Sequence, residues 1–332
     1  METRKLQKIG GSTYSVSLPK EWATEHHLEA GMPIHLYPHT DGSLVVRSAA
    51  REGDPLTATE VDLPDSEPST VRRALEAAYA VGYDTVTLRS PDEFAAAERR
   101  TIRRLVDRMV GLSVIEENGA SVVVENLLDA DEVSIQQSVV QLQFTALSMH
   151  RAAVETLRTP DAAEADRVAG RDDDADRLFG MITRHFNRSL TDFEEVDHLD
   201  VGRSELFDYF LTARQLERVA DHAVAVAEVA ERADGTAPAE IVDDVSDLAE
   251  RSRDVVETAT TAVLEPSSER AYAALDRQER VVTDIRTLDR SLFERSPPRA
   301  YALSRVLAAL SRTAACGGNV ARVALGAAVR PD

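Results

Sequence analysis

The sequence predicts a multidomain protein: a β-rich N-terminal domain, a small α+β domain and an all-α region follow one another along the chain. Three observations support this prediction. In the first 48 residues, short stretches rich in Val, Thr, Tyr and Leu are broken by turn-forming dipeptides. Residues 57–127 mix helix-like and strand-like patterns. From residue 129 onward the apolar residues recur with helical spacing, and prolines mark the breaks.

The N-terminal domain is predicted at residues 1–50, with short strands around one short helix. The helix begins at Pro19, since proline is favourable at the first helical position, and it ends near residue 27. Asp41-Gly42 is typical of a hairpin turn between the last two strands. Residues 49–56 are typical of a linker. The four strands are predicted near residues 3–8, 13–18, 33–38 and 43–48.

The α+β domain is predicted at residues 57–128. It begins with the pattern VRRALEAAYAVGYDTVTL, which indicates a helix that stops at Gly82 and is followed by a strand. FAAAERRTIRRLVDRMV predicts a second helix, and Asn118-Gly119 predicts a hairpin. The arginines of the second helix are interpreted as a solvated face rather than a nucleic-acid site. They are Arg99, Arg100, Arg103, Arg104 and Arg108.

The helical region is predicted to contain tandem three-helix bundles at residues 129–235 and 236–332. Two sets of three helices indicate an internal duplication. The segment from Arg295 to Pro331 has six arginines and no acidic residue, which predicts either a buried central helix or a basic contact surface. The six helices are predicted at about 131–158, 161–190, 203–233, 239–265, 268–295 and 298–329.

The charge distribution is uneven. The formal net charge is −20, and only three of the 38 basic residues are lysines, Lys5, Lys8 and Lys20. Dense carboxylates with almost no lysine are typical of proteins adapted to high salt. Most acidic clusters are therefore expected to be solvated surface. The first 48 residues hold five acidic and five basic residues, so the rest of the chain carries the whole negative charge.

The composition also bears on cell location. A single cysteine, Cys316, excludes an internal disulfide and fits a reducing compartment. The first residues lack the apolar core of a signal peptide, and no apolar run approaches the ~18 residues of a membrane span. The sequence thus predicts a cytoplasmic protein without a membrane span.

The lysine-bearing segment RKLQKIGGSTYSVSLPKEW and the hairpin that follows resemble the AbrB/SpoVT/MazE-like swapped-hairpin DNA-binding family. The resemblance covers about 45 residues and implies an interlocked homodimer whose basic strands face DNA. Lysine and arginine neutralise phosphates, and hydroxyls fix register on the backbone, so the residue types agree. Dimerisation without DNA binding is the alternative. The candidate DNA-binding residues are Arg4, Lys5, Lys8, Ser12, Thr13, Tyr14, Ser17 and Lys20.

Two predicted helices of the first bundle carry paired carboxylates within apolar stripes. Asp172 and Asp176 lie four residues apart on one helix, and Glu217 and Asp221 lie four apart on the next. Carboxylates in such surroundings must be paired or bind a cation. Arg214 and Arg218 are the alternative partners, as ordinary salt bridges.

These two helices resemble the PhoU family of phosphate-signalling regulators, through the segments DDDADRLFGMI and LERVADHAVAVAEVA. The resemblance covers roughly residues 130–330. It implies tandem three-helix bundles, metal bound by Asp172, Asp176, Glu217 and Asp221, and phosphate transporters or phosphate-signalling proteins as partners. The expected cofactor is one or more divalent or ferric ions in the first bundle.

The second bundle departs from that pattern. Aligned with the first, it has Ser311 and Ala315 where Glu217 and Asp221 stand. On its preceding helix Glu279 is followed four residues later by Thr283. The sequence therefore predicts that the second bundle has no metal site.

The predicted function is a cytoplasmic, dimeric, DNA-binding regulator of phosphate uptake or metabolism. The sequence contains neither a Gly-rich phosphate loop nor a recognisable nucleophile–base pair, so no motif indicates an enzyme. The competing interpretation is a PhoU-type adaptor that acts through protein contacts, with the N-terminal domain only dimerising. A metal-storage or scaffold role is a third possibility.

Overall fold

The structure is a computed structural model that describes residues 3–38, 42, 44–48, 56–159, 162–232 and 237–330. Its internal contacts divide the chain into two units, residues 1–55 and residues 56–332. Each unit is considered by itself. Asp41 of the predicted turn and the predicted linker residues 49–55 lie outside the described residues.

The first unit consists of two small antiparallel hairpins and one short helix. β1 pairs with β2 and β3 pairs with β4, in separate two-stranded sheets. Gly10 has φ +69° and forms part of the first turn, in a backbone conformation that favours glycine. The elements are β1 Gln7–Ile9, β2 Thr13–Ser15, α1 Lys20–Glu25, β3 His35–Pro38 and β4 Leu44–Arg47.

This unit has almost no hydrophobic core of its own. None of the described hydrophobic side chains before Leu56 is buried. Single exposed apolar residues are normal, but a described part of this size without a buried one is not. The exposed large side chains are Leu6, Ile9, Tyr14, Val16, Met32, Ile34, Leu36 and Leu44.

The second unit begins with a four-stranded sheet in the order β5-β6-β8-β7, with β5 parallel to β6 and the other neighbours antiparallel. The crossover from β5 to β6 is α2, which ends at Gly82 in a left-handed conformation, as predicted. The hairpin at Asn118-Gly119 is also confirmed. The elements are β5 Ala58–Asp62, α2 Pro68–Val81, β6 Thr85–Arg89, α3 Ala96–Val106, β7 Leu112–Asn118 and β8 Ser121–Asn126.

One strand of this sheet was not predicted. β5 has the sequence ATEVD, in which Ala, Glu and Asp are residues that strands usually lack. It forms because its backbone pairs with β6, and only Thr59 and Val61 turn partly inward. The apolar face of the sheet, with Val86 and Leu88 buried, packs on the two helices.

The rest of the second unit is helical, and the predicted fold class is confirmed. The first bundle is α4, α5 and α7, with the short α6 before α7 as an unpredicted element. The second bundle is α8, α9 and α10. A short 3-10 turn at Ala130–Glu132 precedes them. The helices are α4 Ile135–Glu155, α5 Ala162–Thr191, α6 Phe193–His198, α7 Arg203–Arg232, α8 Ala239–Leu264, α9 Ser268–Arg295 and α10 Ala300–Ala328.

α10 is the central helix of this region, as one of the two interpretations predicted. It packs against α7, α8 and α9 and thereby joins the two bundles. Gly317 permits this close approach, because a Cβ there would lie 2.8 Å from the backbone nitrogen of Val256. Arg305 and Arg312 lie on the exposed face of the same helix.

Among the residues that the structure describes, no helix combines the length and the apolar character needed to cross a membrane.

Candidate functional site

The predicted DNA-binding residues lie on the exposed surface of the first unit. Lys8 of β1 stands directly opposite Tyr14 of β2, so the two side chains share one face of the hairpin. Thr13 pairs with Ile9 and belongs to the other face. The structure therefore brings Lys8 and Tyr14 together and separates Thr13 from them.

The other predicted residues are spread along the same segment. Arg4 and Lys5 precede β1, and Ser12 lies in the turn. Ser17 lies between β2 and α1, and Lys20 is the first residue of α1. All eight side chains are exposed, which is the arrangement that contacts with a phosphate backbone require.

The two carboxylate pairs of the first bundle lie on helices that face each other. α5 and α7 pack along the predicted stripes, since Phe186 stacks on Phe210 with ring centroids 4.3 Å apart. Phe179 also stacks on Phe210, at 6.2 Å. Ala175 and Ala220, which follow the same stripes, are fully buried.

All four carboxyl groups have raised pKa values. Burial raises the pKa of Glu217 to about 7, with further contributions from the negative charges of Asp221, Asp176 and Asp172. Burial, followed by Asp176, Asp221 and Asp173, raises the pKa of Asp172 to about 6. The pKa of Asp176 and that of Asp221 are also raised, in each case chiefly by burial. The mutual effects show that the two pairs share one electrostatic environment.

Salt bridges with Arg214 and Arg218, the alternative to a bound cation, do not form between these described residues. The charge of Arg218 only opposes the rise in the pKa of Glu217 and of Asp221. The four carboxylates therefore lack a bonded counter-ion within the part of the chain that the structure describes. Asp176 and Asp221 lie nearer the surface, whereas Asp172 and Glu217 are half-buried.

The negative charge of these four residues suits a metal ion, but their side chains are not positioned to coordinate one. Carboxylate oxygens are the ligands that hard cations prefer, and a cation would relieve their mutual repulsion. Within the described residues, however, no group of three or more His, Cys, Asp or Glu side chains is placed to hold a metal ion. Binding would require the side chains to move together.

The matching positions of the second bundle hold little carboxylate. Ser311 and Ala315 stand on α10, and the hydroxyl of Thr283 donates to the carbonyl oxygen of Glu279 over 2.8 Å. Burial raises the pKa of the Cys316 thiol to about 11, so it stays protonated near neutral pH.

A buried polar network that the sequence did not indicate joins the α+β segment to the first bundle. Arg184, with a side chain only 2% exposed, donates to Asp84 Oδ1 over 2.7 Å and to the carbonyl oxygen of Tyr83 over 2.7 Å. Arg188 donates to the same Asp84 oxygen over 2.7 Å and to the carbonyl oxygen of Gly82 over 2.7 Å. Both arginines belong to α5, so this helix holds the end of α2 and the start of β6.

The same network continues into α6. Arg188 Nε donates to Glu195 over 3.1 Å, and His185 Nδ1 lies 2.5 Å from the other oxygen of Glu195. Burial acts to raise the pKa of Glu195, but the hydrogen bond and charge of His185 and the charge of Arg188 bring it below its usual value. Arg184 and Arg188 lie four residues apart on a predicted helix, but nothing in the sequence pairs them with Asp84 or Glu195.

Comparisons with known proteins assign two parts of the chain. The sequence model of the PhoU domain family matches residues 139–230. The model of MazE, the antidote-toxin recognition family of bacterial antitoxins, matches residues 7–61. No curated protein is significantly similar to the chain.

Two solved structures are similar to part of the chain. The phosphate transport system regulatory protein PhoU from Streptococcus pneumoniae is 16% identical with a TM-score of 0.49, and the match covers 57% of this chain and 91% of that one. PhoU from Pseudomonas aeruginosa is 19% identical with a TM-score of 0.49, over 57% of this chain and 93% of that one. On the two family matches, the chain combines a MazE-like N-terminal segment with a PhoU domain.

Proposed function

We propose that the protein is a dimeric, DNA-binding regulator of phosphate uptake or phosphate metabolism. One observation carries this proposal. All three lysines of the chain lie on the exposed surface of the MazE-like segment or directly beside it, and the same chain contains a PhoU domain. The role is regulatory, needs no catalytic step, and belongs in the cytoplasm.

Electrostatics restrict which surface can meet DNA. Residues 49–332 carry the whole net charge of −20 and would be repelled by phosphates, whereas the first twenty residues carry a charge of +3. A cationic hairpin on an acidic body orients the protein on the duplex. If the cytoplasm is as salty as the composition indicates, phosphate attraction is weak and base contacts and DNA shape must supply most of the affinity.

The first unit also needs a partner to cover its apolar surface. Eight large hydrophobic side chains are exposed among its described residues, and a second copy of the same unit would cover them symmetrically. A dimer would in addition place two copies of the Lys8–Tyr14 face against two half-sites of DNA. Dimerisation is therefore part of the proposal.

Regulation would arise in the PhoU domain. A divalent or ferric ion held by Asp172, Asp176, Glu217 and Asp221, or a phosphate-transport or phosphate-signalling protein as partner, would bias the arrangement of the first bundle. The ion pairs of Arg184 and Arg188 with Asp84 would pass this bias to the α+β segment.

The competing function is an adaptor that acts only through protein contacts. Dimerisation without DNA binding would also explain the exposed apolar surface of the first unit, and this observation favours the adaptor. Selection of bound fragments from sheared genomic DNA, followed by titration of the enriched sequence, separates the two. We expect the wild type to enrich specific sequences and the double variant Lys8→Ala, Lys20→Ala to enrich none. No enrichment by the wild type at any salt concentration would favour the adaptor.

A further inference from the structure

A cavity of about 320 Å³ lies inside the second unit, where α2 and α3 meet α5. It adjoins the apolar seam between α5 and α7, because Phe179, which stacks on Phe210, lines it together with Asp176. Its volume is at the lower end of the range of small-molecule sites in proteins, about 300–1,000 Å³. It is therefore large enough for one small organic ligand.

One part of the wall is apolar and held in place. Tyr79 and Phe179 line it together with Leu105 and Met109. The hydroxyl of Tyr79 donates to the carbonyl oxygen of Val110 over 2.9 Å, and the Arg184 guanidinium carbon lies 5.3 Å from the Tyr79 ring centroid. The ring is thus fixed in orientation by groups outside the cavity wall, and because Tyr79 is only 4% exposed, it forms part of the apolar wall of the cavity.

The other part of the wall is charged. Arg108 is engaged with Asp173 over 3.1 Å, but Arg72 and Arg177 form no hydrogen bond or ion pair with the described residues. Two guanidinium groups with free donors at one cavity are suited to a phosphate or carboxylate group. Glu76 and Asp176 at the same edge supply acceptors for hydroxyl or amino donors of a ligand.

A buried hydroxyl adds a polar group deeper in the wall. Thr183 lines the cavity, and its Oγ1 is buried without a hydrogen-bond partner in the described structure. A buried polar atom without a partner is costly, and a ligand atom in the cavity would satisfy it.

We propose that this cavity binds a purine mononucleotide. The planar base would pack against Phe179 and Met109 beside the buried Tyr79 ring. The phosphate would lie between Arg72 and Arg177, and ribose or amino donors would reach the carboxylates. The bound nucleotide would touch α2, α3 and α5 at once. It would therefore stiffen the junction between the α+β segment and the first bundle, independently of whether the protein binds DNA.

The test is isothermal titration of the full-length protein with AMP and GMP, with adenosine and inorganic phosphate as partial ligands. We expect saturable binding of at least one nucleotide, at least tenfold tighter than either partial ligand. Two variants probe the site. Gly180→Leu fills the cavity, because a Cβ at Gly180 would lie 3.6 Å from Tyr79 Cε1. Arg177→Ala removes one exposed guanidinium without touching the core.

Arg177→Ala should weaken nucleotide binding about tenfold or more, the effect expected when one charge-assisted hydrogen bond is removed. Gly180→Leu should weaken it at least as much, because the added side chain occupies the space that the ligand needs. Arg73→Ala is the matched control, since Arg73 neighbours Arg72 on α2 and does not line the cavity. The proposal is overturned if no nucleotide binds, if Gly180→Leu and Arg177→Ala bind like the wild type, or if inorganic phosphate alone binds as tightly as the nucleotide. Circular dichroism checks the fold of Gly180→Leu, and Arg177→Ala decides the matter if that variant does not fold.

Discussion

The guanidinium of Arg184 and the carboxylate of Asp84 are hydrogen-bonded over 2.7 Å, although they lie 100 positions apart in the chain. This pair and its neighbour Arg188 attach the α+β segment to helix α5 of the PhoU domain. Removing one partner leaves the other buried charge without compensation. The ion pair is therefore central both to stability and to any signal that passes between the two parts.

Asp84→Ala should destabilise the second unit strongly. It removes the acceptor that Arg184 and Arg188 share, so the buried Arg184 guanidinium loses its carboxylate partner, whereas Arg188 keeps its bond to Glu195. Since the Asp84 side chain is itself 36% exposed, we expect the free energy of unfolding to fall by about 3 kcal/mol, the lower end of the range for buried pairs. Chemical denaturation at fixed salt measures the change. Arg89→Ala, which breaks the exposed pair with Glu60, is the control and should have a much smaller effect. Equal effects of the two variants would contradict the stabilising role given to the ion pairs of Asp84.

DNA binding should depend on Lys8 and Lys20 rather than on helix α3. The double variant Lys8→Ala, Lys20→Ala should weaken binding and reduce its salt dependence, by about one unit of slope for each phosphate that is no longer neutralised. Fluorescence anisotropy at several salt concentrations measures both. Arg103→Ala with Arg104→Ala is the control, because Arg103 is already paired with Glu117 through two hydrogen bonds of 2.7 and 2.6 Å. Abolition of binding by the control, with the lysine variant unaffected, would place the DNA-binding surface on α3 instead.

Dimerisation should depend on the apolar surface of the first unit. Leu36→Asp places a charge on one of its exposed hydrophobic positions and should shift the protein towards monomer at micromolar concentration. Phe293→Asp changes an exposed aromatic residue of the second unit and should leave the oligomeric state unchanged. Sedimentation equilibrium distinguishes the outcomes. A monomeric wild type would rule out this part of the account.

Metal, where bound, should be held in the first bundle. Protein purified without chelator should contain metal that is absent from the variant Glu217→Ala, Asp221→Ala and retained in Glu279→Ala. The physical reason is that four carboxylates share one environment on α5 and α7, whereas the positions of the second bundle that match the other three hold Thr283, Ser311 and Ala315. Elemental analysis makes the measurement. Metal that persists after the first change, or its absence from every wild-type preparation, would contradict the prediction.

The same carboxylates predict a pH effect on stability. The pKa of Glu217 is about 7 in the folded protein, above the value of about 4.3 in an unfolded chain, so the folded state binds more protons between these values. The free energy of unfolding should accordingly fall as pH rises from about 4 to about 7. Asp221, Asp176 and Asp172 add to this effect and Arg218 opposes it.

Glu217→Gln isolates that contribution. Relative to the wild type, the variant should gain stability as pH rises from about 4 to about 8, because it carries no charge that must be held in the half-buried site. Denaturation curves in the presence of a chelator measure this difference at each pH. Parallel pH profiles for the two proteins would show that Glu217 is not electrostatically coupled as the structure indicates.

Local pattern predicts the elements that have strong signals. Helical spacing locates the six long helices to within a few residues, and Gly82 and Asn118-Gly119 mark a helix end and a hairpin. β5 has no such signal because its residues have weak strand propensity, and pairing with β6 decides its structure. Tertiary pairing of this kind cannot be read from five residues.

The site is predictable only in part. The four carboxylates stand out because their spacing interrupts apolar stripes, and the structure places them on facing helices. Their separation from Arg214 and Arg218 depends on rotamers that spacing does not determine. The Arg184–Asp84 ion pair joins positions 100 residues apart, so no local pattern of a single sequence reveals it.

The most direct test of the account is genome-wide mapping of the protein on DNA in phosphate-rich and phosphate-starved cells. We expect occupancy at promoters of phosphate-transport genes that changes with phosphate supply and disappears in the variant Lys8→Ala, Lys20→Ala. Occupancy that is absent in both conditions, with the protein present at normal abundance, would contradict the claim that it regulates by binding DNA.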